Sequence, residues 1–260
     1  MNALLELLIP SRCAACGARG KPCCARCGGV WGAVREIVRV PTAGLVRVFS
    51  LARYTGVGRR LLIAYKERGR RDLAPALGLA LAEALVVLPL TETVAGGRPQ
   101  VAAGAVSAGQ SRPAAQGAGL VSAHRHPGPS TGSVPAHRKV CLVPAPSRPS
   151  ASRIRGGPHV ELLAAAAARV LATRGFEVAV APALELAGSA RDAVGLGHAQ
   201  RAANLAGRLR FREAGRPPPG FPVVVLDDVV TTGATAAACV HTLAAEGVAV
   251  SAVVTLLAAG

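Results

Sequence analysis

A chain of 260 residues that is 51% apolar can bury a proper core, and its length allows one medium domain with appendages or two small domains. Only 3% of the residues are aromatic and alanine is abundant, which is typical of helices packed tightly on a parallel sheet. The apolar runs are too short for a membrane span, and the first residues lack the basic region of a signal peptide. We therefore expect a cytoplasmic protein.

The formal charge of +16 is concentrated in the first part of the chain. Residues 1–72 carry 14 Lys and Arg against 4 Asp and Glu, whereas residues 177–260 carry 6 against 7. Such a basic region is suited to nucleic acid or to a polyanionic small molecule. Aromatic residues that would stack on bases are not interleaved with the basic ones, which argues against a surface for single strands.

Five of the seven cysteines lie within residues 13–27, where they form two CxxC pairs that are each followed by glycine. Two such pairs predict a closed tetrahedral Zn²⁺ site in a small module at residues 1–40. A disulfide is the alternative for this spacing, but it conflicts with the expected cytoplasmic location. Cys23 is adjacent to the second pair and could substitute as a ligand, but we regard it as the spare thiol. The predicted zinc ligands are Cys13, Cys16, Cys24 and Cys27.

The remainder of the chain alternates apolar runs with alanine-rich segments of helical character. This alternation predicts an α/β domain at residues 41–260, with a doubly wound parallel sheet and its ligand at the strand C-termini. Residues 91–139 are rich in Gly, Ala, Ser and Pro and lack periodicity, so we predict a disordered insertion there. The predicted strands are residues 45–54, 140–143, 177–183, 223–226 and 247–257, and the predicted helices are residues 59–66, 73–88, 159–174 and 231–246.

The stretch VVVLDDVVTTGAT at residues 223–235 combines a buried strand, two adjacent acids, a turn rich in threonine and a helix start. Backbone N–H groups and threonine hydroxyls in the turn can bind an anion, which the helix dipole also favours. Ionised carboxylates accept hydrogen bonds, so Asp227 and Asp228 are suited to the vicinal hydroxyls of a ribose. A bridging Mg²⁺ is the other way to reconcile two acids with an anion. The stretch therefore predicts a site for ribose 5-phosphate.

The same thirteen residues resemble the phosphoribosyl-pyrophosphate (PRPP) binding motif of type I phosphoribosyltransferases. This resemblance implies that Asp227 and Asp228 face the ribose hydroxyls. The alternative is a structural turn capped by the aspartates, but capping would need only one carboxylate. The resemblance implies that the 5-phosphate is bound by Thr231, Thr232, Gly233, Ala234 and Thr235.

A second stretch, YTGVGRRLLIAYKERGRRDLAPALG from residue 54, resembles the corresponding block of the ComF family. In that family a zinc knuckle precedes a type I phosphoribosyltransferase fold. Lys66 in this block is a candidate for binding an anion, and a solvated helix face is the alternative. The resemblance also implies that a basic loop meets the pyrophosphate through Arg148, Arg153 and Arg155.

Two further positions bear on the resemblance to ComF proteins. Many relatives continue with Phe-Asn-Gln after the arginine–glycine pair of the basic loop, whereas this chain has Gly157, Pro158 and His159. Arg201 and Asn204 match a family position in a segment that often closes over the site, and a surface helix cap is the alternative.

The resemblance implies transfer of the phosphoribosyl group of PRPP to a nitrogen nucleophile, with loss of pyrophosphate. Bond cleavage builds oxocarbenium character at C1, while Mg²⁺ and arginines stabilise the departing pyrophosphate. The acceptor would be nucleobase-like, and Zn²⁺ would be structural. The alternative function is a PRPP- or nucleotide-binding protein without turnover, which acts in DNA uptake beside a helicase or single-stranded DNA.

Overall fold

The computed structural model describes residues 11–90, 138–146, 158–187 and 208–260. Several predictions fall outside these ranges and remain predictions. They concern the N-terminal ten residues, the insertion as far as residue 137, the basic-loop residues Arg148, Arg153 and Arg155, and the pair Arg201 and Asn204.

Five helices and eight strands are formed by the described residues. The helices are α1 (Ala25–Gly28), α2 (Gly56–Glu67), α3 (Ala74–Val87), α4 (His159–Thr173) and α5 (Ala234–Ala245). The strands are β1 (Arg35–Glu36), β2 (Val48–Arg53), β3 (Lys139–Pro144), β4 (Glu177–Val180), β5 (Leu184–Leu186), β6 (Leu209–Phe211), β7 (Val223–Val230) and β8 (Val250–Ala258). Short 3₁₀ turns cover Val40–Thr42, Arg71–Leu73 and Glu213–Gly215.

Six strands form one sheet in the order β1-β2-β8-β7-β3-β4. All neighbours in it are parallel except β1, which pairs antiparallel to β2 at the edge. The short strands β5 and β6 form a separate antiparallel pair. The predicted α/β class with a mostly parallel sheet is therefore confirmed.

The two faces of the sheet are covered by different helices. Residues of α2, α3 and α4 pack on one face in a cluster that includes Val224 and Leu226 of β7. Residues of α5 pack on the other face in a cluster that includes Val223 and Val225. A strand segment that is buried on both faces has apolar side chains at consecutive positions. This explains the continuous apolar run at residues 223–226, with which β7 begins.

The boundaries of two predicted elements were wrong. The strand was expected to end before the acid pair, but β7 continues through Asp227 and Asp228 and pairs with β8 as far as Val230. Backbone pairing in a parallel ladder does not require apolar side chains, so the acids did not end it. Lys139, predicted as the end of the insertion, is instead the first residue of β3.

The cysteine-rich module packs directly against the sheet domain. Arg60 Nε of α2 donates to the carbonyl oxygen of Ala15 at 3.0 Å, and Arg70 Nη2 donates to that of Arg12 at 2.9 Å. Val30 and Trp31 of this module pack against the apolar cluster that α2, α3 and α4 form with one face of the sheet. Across the described ranges, no helix has the length and apolar character that a membrane crossing needs.

The close contact between α3 and α4 can be tested at Gly78. A Cβ added there would lie 2.4 Å from the Cβ of Ala166 and 2.8 Å from its carbonyl carbon. In an isolated helix, Gly→Ala would stabilise by about 1 kcal/mol. Here the overlap involves backbone, so we expect Gly78→Ala to lower the free energy of unfolding by roughly 1–3 kcal/mol in urea titrations.

The matched control for this prediction is Gly32→Ala, because a Cβ at Gly32 meets no atom within 4 Å. The control should unfold at the wild-type urea concentration. A Gly78→Ala protein as stable as the control would contradict the helix contact.

Candidate functional site

The acid pair lies in the C-terminal half of β7, and its two side chains differ in exposure. Asp228 is only 4% exposed, whereas Asp227 is partly exposed. The backbone N–H of Asp228 donates to Asp227 Oδ1 at 2.7 Å. The two carboxylates are therefore neighbours in sequence but lie in different environments.

The buried carboxylate of Asp228 is held by two partners on one oxygen. Lys66 Nζ lies 2.6 Å from Asp228 Oδ2, and His159 Nε2 lies 2.7 Å from the same atom. Lys66 comes from the last turn of α2 and His159 is the first residue of α4. The hydroxyl of the buried Tyr65 donates to the backbone oxygen of His159 at 2.7 Å. We call Asp228, Lys66 and His159 the Asp228 cluster; its ion pair and hydrogen bond offset the cost of burying a charge.

The pKa values of the two acids move in opposite directions. Burial raises the pKa of Asp227 to about 7, and the negative charge of Asp228 adds to this effect. Burial also opposes ionisation of Asp228, but the His159 hydrogen bond and the Lys66 charge outweigh it and lower that pKa to about 2. Asp228 is therefore ionised at neutral pH, while Asp227 changes protonation near neutrality.

The turn after β7 has the conformation that its glycine predicts. Gly233 has φ of +84° and caps the N-terminus of α5, which begins at Ala234. Thr231 and Thr232 are exposed beside it. Exposed hydroxyls next to a helix N-terminus can bind an anion, because the first backbone N–H groups of the helix have no partner within it.

Arg39, which lies between β1 and the 3₁₀ turn at Val40–Thr42, holds the turn after β7. Its Nε donates to the carbonyl oxygen of Thr231 at 2.7 Å, and its Nη2 donates to that of Ala259 at 2.7 Å. A Cβ added to Gly233 would lie 2.9 Å from Arg39 Cβ, so the arginine packs against the glycine. The guanidinium thus fixes the turn and adds positive charge beside it.

The structure brings together the predicted residues that it describes. Asp227, Asp228 and the turn are contiguous at the end of β7, and Lys66 joins them through its ion pair with Asp228. Sequence reasoning missed Arg39, and it treated His159 only as a departure from a family pattern. Arg39 is 192 positions from Thr231 and His159 is 69 from Asp228, so neither contact leaves a local signal.

The four predicted zinc ligands form a compact cluster. The Sγ atoms of Cys13, Cys16, Cys24 and Cys27 all lie within 4.8 Å of one another, and those of Cys16 and Cys24 are 3.7 Å apart. A tetrahedral zinc with Zn–S bonds of about 2.3 Å separates its sulfurs by about 3.8 Å. The four cysteines are therefore close enough to hold a metal ion such as zinc.

The surroundings shift the pKa values of the thiols in both directions, and burial together with hydrogen bonds from the other cysteines raises the pKa of Cys27. Burial opposes ionisation of Cys13, but backbone N–H groups of Cys24, Cys16 and Ala15 outweigh it and lower the pKa of that thiol to about 6. The thiolate is the form that binds metal. Cys23 lies outside the cluster; burial, together with the neighbouring thiols, raises its pKa to about 11.

Comparison with known protein families finds none that matches this chain, and comparison with curated proteins finds no match either. The functional interpretation therefore depends on the geometry of the site and on the sequence resemblances described above.

Metal binding can be tested by elemental analysis of the purified protein. We expect close to one equivalent of zinc, and replacing Cys24 with serine should release it because a closed site needs all four thiolates. Cys23→Ser is the matched control, since this thiol is adjacent in sequence but outside the cluster. Full zinc retention by the Cys24→Ser protein would refute the ligand assignment.

The raised pKa of Asp227 predicts a pH-dependent effect of Asp227→Asn on stability. An aspartate with an unfolded pKa near 3.8 and a folded pKa of about 7 binds its proton more tightly when folded. Its ionisation therefore lowers the stability of the wild type as the pH rises from about 4 to 7. Asparagine does not ionise, so the variant should gain stability relative to the wild type by about 1 kcal/mol or more between pH 5 and pH 8.

Urea unfolding at four pH values across this range measures the difference. A difference that stays constant from pH 5 to pH 8 would show that Asp227 is already ionised at the lower value.

Proposed function

We propose that this protein binds PRPP and transfers its phosphoribosyl group to a nitrogen nucleophile, with loss of pyrophosphate. One observation carries the proposal: the acid pair and the Gly233 turn occupy the C-terminal end of one strand in a parallel sheet. Open α/β sheets bind their ligands outside the carboxyl ends of the strands. The resemblance of residues 223–235 to a PRPP-binding motif supports the same ligand, and a type I phosphoribosyltransferase fold is part of the proposal.

In this proposal the turn binds the 5-phosphate. The hydroxyls of the exposed Thr231 and Thr232 donate to the phosphate, together with backbone N–H groups at the start of α5. Gly233 allows the backbone to turn at positive φ, where an L side chain would be strained. The positive charge of Arg39 beside the turn favours an anion. The proposed phosphate-binding residues are Thr231, Thr232, Gly233, Ala234 and Thr235.

The acids and the basic loop have separate roles in the proposed reaction. The acid pair, Asp227 and Asp228, binds and orients the ribose as oxocarbenium character develops at C1. Mg²⁺ supplies charge neutralisation to the pyrophosphate when it is bound with PRPP. Arginines of the basic loop add donors to the same leaving group. These arginines are Arg148, Arg153 and Arg155, and the acceptor is a nucleobase-like nitrogen nucleophile.

We also propose that the cysteine cluster binds zinc and that the role of this zinc is structural. A site closed by four thiolates has no open position for substrate. Such a site contributes binding free energy to folding of the module around it.

A binding protein without turnover, acting with single-stranded DNA or a helicase in DNA uptake, is the second candidate. It is favoured by the charge of the cysteine module, in which residues 11–34 contain four basic residues and no acid. All four basic residues are exposed: Arg12, Arg19, Lys21 and Arg26. An exposed basic surface binds phosphate backbones without reading sequence.

The ligand is tested by calorimetric titration with ribose 5-phosphate and with PRPP plus Mg²⁺. We expect both to bind, and Gly233→Val should abolish both, because a side chain there is strained and meets Arg39. Gly247→Val is the matched control, since Gly247 also has positive φ (+75°) but lies just beyond the far end of α5. Normal PRPP binding by the Gly233→Val protein would exclude this turn as the phosphate site.

Turnover is tested by pyrophosphate release in the presence of a panel of bases. Release with at least one base supports the transferase, whereas PRPP binding without release supports the second candidate. Arg155→Ala should weaken PRPP far more than ribose 5-phosphate, because only PRPP carries the pyrophosphate. Equal losses for the two ligands would contradict the role given to the basic loop.

A further inference from the structure

We infer that Arg60 and Arg70 of the sheet domain are positioning residues of the metal site, and that they hold the first cysteine pair, Cys13 and Cys16, in the geometry that binds the metal. This inference rests on the proposed zinc site and is independent of PRPP. It assigns part of the metal site to residues outside the cysteine module. Three observations carry it.

The first observation is that each arginine binds the carbonyl oxygen just before one cysteine of the first pair. Arg70 Nη2 donates to the carbonyl oxygen of Arg12 at 2.9 Å, and Arg60 Nε donates to that of Ala15 at 3.0 Å. Arg12 and Ala15 are the residues directly before the two cysteines of this pair. Both peptide groups that lead into a ligand are therefore fixed by donors from α2 and from the connection between α2 and α3.

The second observation links one of these contacts to a ligand sulfur. The peptide group between Ala15 and Cys16 accepts a hydrogen bond from Arg60 at its oxygen, while its N–H donates to the sulfur of Cys13. A donor at the oxygen polarises the peptide group and strengthens the hydrogen bond that its N–H makes. Arg60 thus acts on the Cys13 ligand through the backbone, in the way that outer hydrogen bonds orient metal ligands.

The third observation is that Arg70 is itself held in place. Its Nε donates to Asp72 Oδ1 at 2.9 Å, and its Nη2 donates to Asp72 Oδ2 at 2.7 Å. A two-point contact between a guanidinium and a carboxylate fixes the plane of the guanidinium. Nη2 carries two N–H groups, so it binds the Arg12 carbonyl oxygen as well. A guanidinium fixed in this way positions the chain in front of Cys13.

The second cysteine pair is held by a different element. Cys24 directly precedes α1, and Cys27 lies within it. The two pairs meet where the Sγ atoms of Cys16 and Cys24 are 3.7 Å apart. A bound metal therefore joins a pair held by the sheet domain to a pair held by α1. Because ligands that are held in advance bind more tightly, loss of the two arginines should weaken metal binding.

The test measures the affinity of the full chain for Zn²⁺ by competition with a chromogenic chelator at fixed pH. We expect the double variant Arg60→Met, Arg70→Met to bind zinc about tenfold or more weakly than the wild type, because outer partners of metal ligands contribute about 10–100-fold in affinity.

The matched control is the double variant Arg59→Met, Arg68→Met, which removes the same two charges from the same part of the chain. Both control residues are exposed, and the guanidinium of Arg59 lies over the ring of Tyr54 at 5.7 Å. Salt screens exposed charges, so the control should bind zinc within about twofold of the wild type.

Urea titrations with zinc and with excess chelator separate positioning of the ligands from a role in stability alone. A role in stability alone lowers both urea midpoints and leaves the zinc affinity unchanged. Positioning also reduces the difference between the two midpoints, because a metal that binds more weakly stabilises the folded state less.

Each outcome decides the inference. A zinc affinity that is unchanged in the Arg60→Met, Arg70→Met protein, or that falls equally in the control, overturns it while the zinc site stands. If that double variant does not fold, Arg60→Met alone decides: we expect a loss of about threefold or more, and wild-type affinity overturns the inference. A wild type that binds no zinc removes the proposed zinc site together with the inference, but leaves the PRPP proposal to its own test.

Discussion

The burial of one carboxylate, that of Asp228, determines how the end of β7 is built. A charge at 4% exposure is stable only with a counter-charge and hydrogen bonds, and Lys66 and His159 provide both on a single oxygen. These partners come from the last turn of α2 and the first residue of α4. The requirement to satisfy Asp228 therefore fixes where both helices meet the strand. It also makes the acid pair asymmetric, since Asp227 has the opposite shift in pKa.

The sequence predicted the elements whose signal is local or repeated. The apolar runs located the central strands, and alanine-rich segments located α3, α4 and α5 to within a few residues. The spacing of the cysteines predicted a cluster that the structure contains. Gly247 directly follows the helix predicted at residues 231–246, and its φ of +75° is typical of the residue just beyond a helix C-terminus. Each of these signals depends on a pattern within about one helix or one turn.

Contacts between distant single residues could not be predicted in this way. His159 reaches Asp228 across 69 positions and Arg39 reaches Thr231 across 192, and neither pair is part of a periodic pattern. The predicted end of β7 was wrong for a related reason. Polar residues at 227 and 228 suggested an end, but the ladder with β8 is formed by the backbone and continues to Val230. Where tertiary partners satisfy a polar side chain, local polarity is a poor guide to the end of an element.

The arrangement connects the cysteine module to the candidate site along two structural routes. The first is α2, whose Arg60 donates to the backbone of the module at Ala15, while Lys66, six residues later, forms an ion pair with Asp228. The second is Arg39, near the end of the module, which donates to the carbonyl oxygen of Thr231 in the turn. One route ends at the acid pair and the other at the proposed phosphate turn. Hydrogen bonds over short spans of chain therefore link both parts of the site to the module.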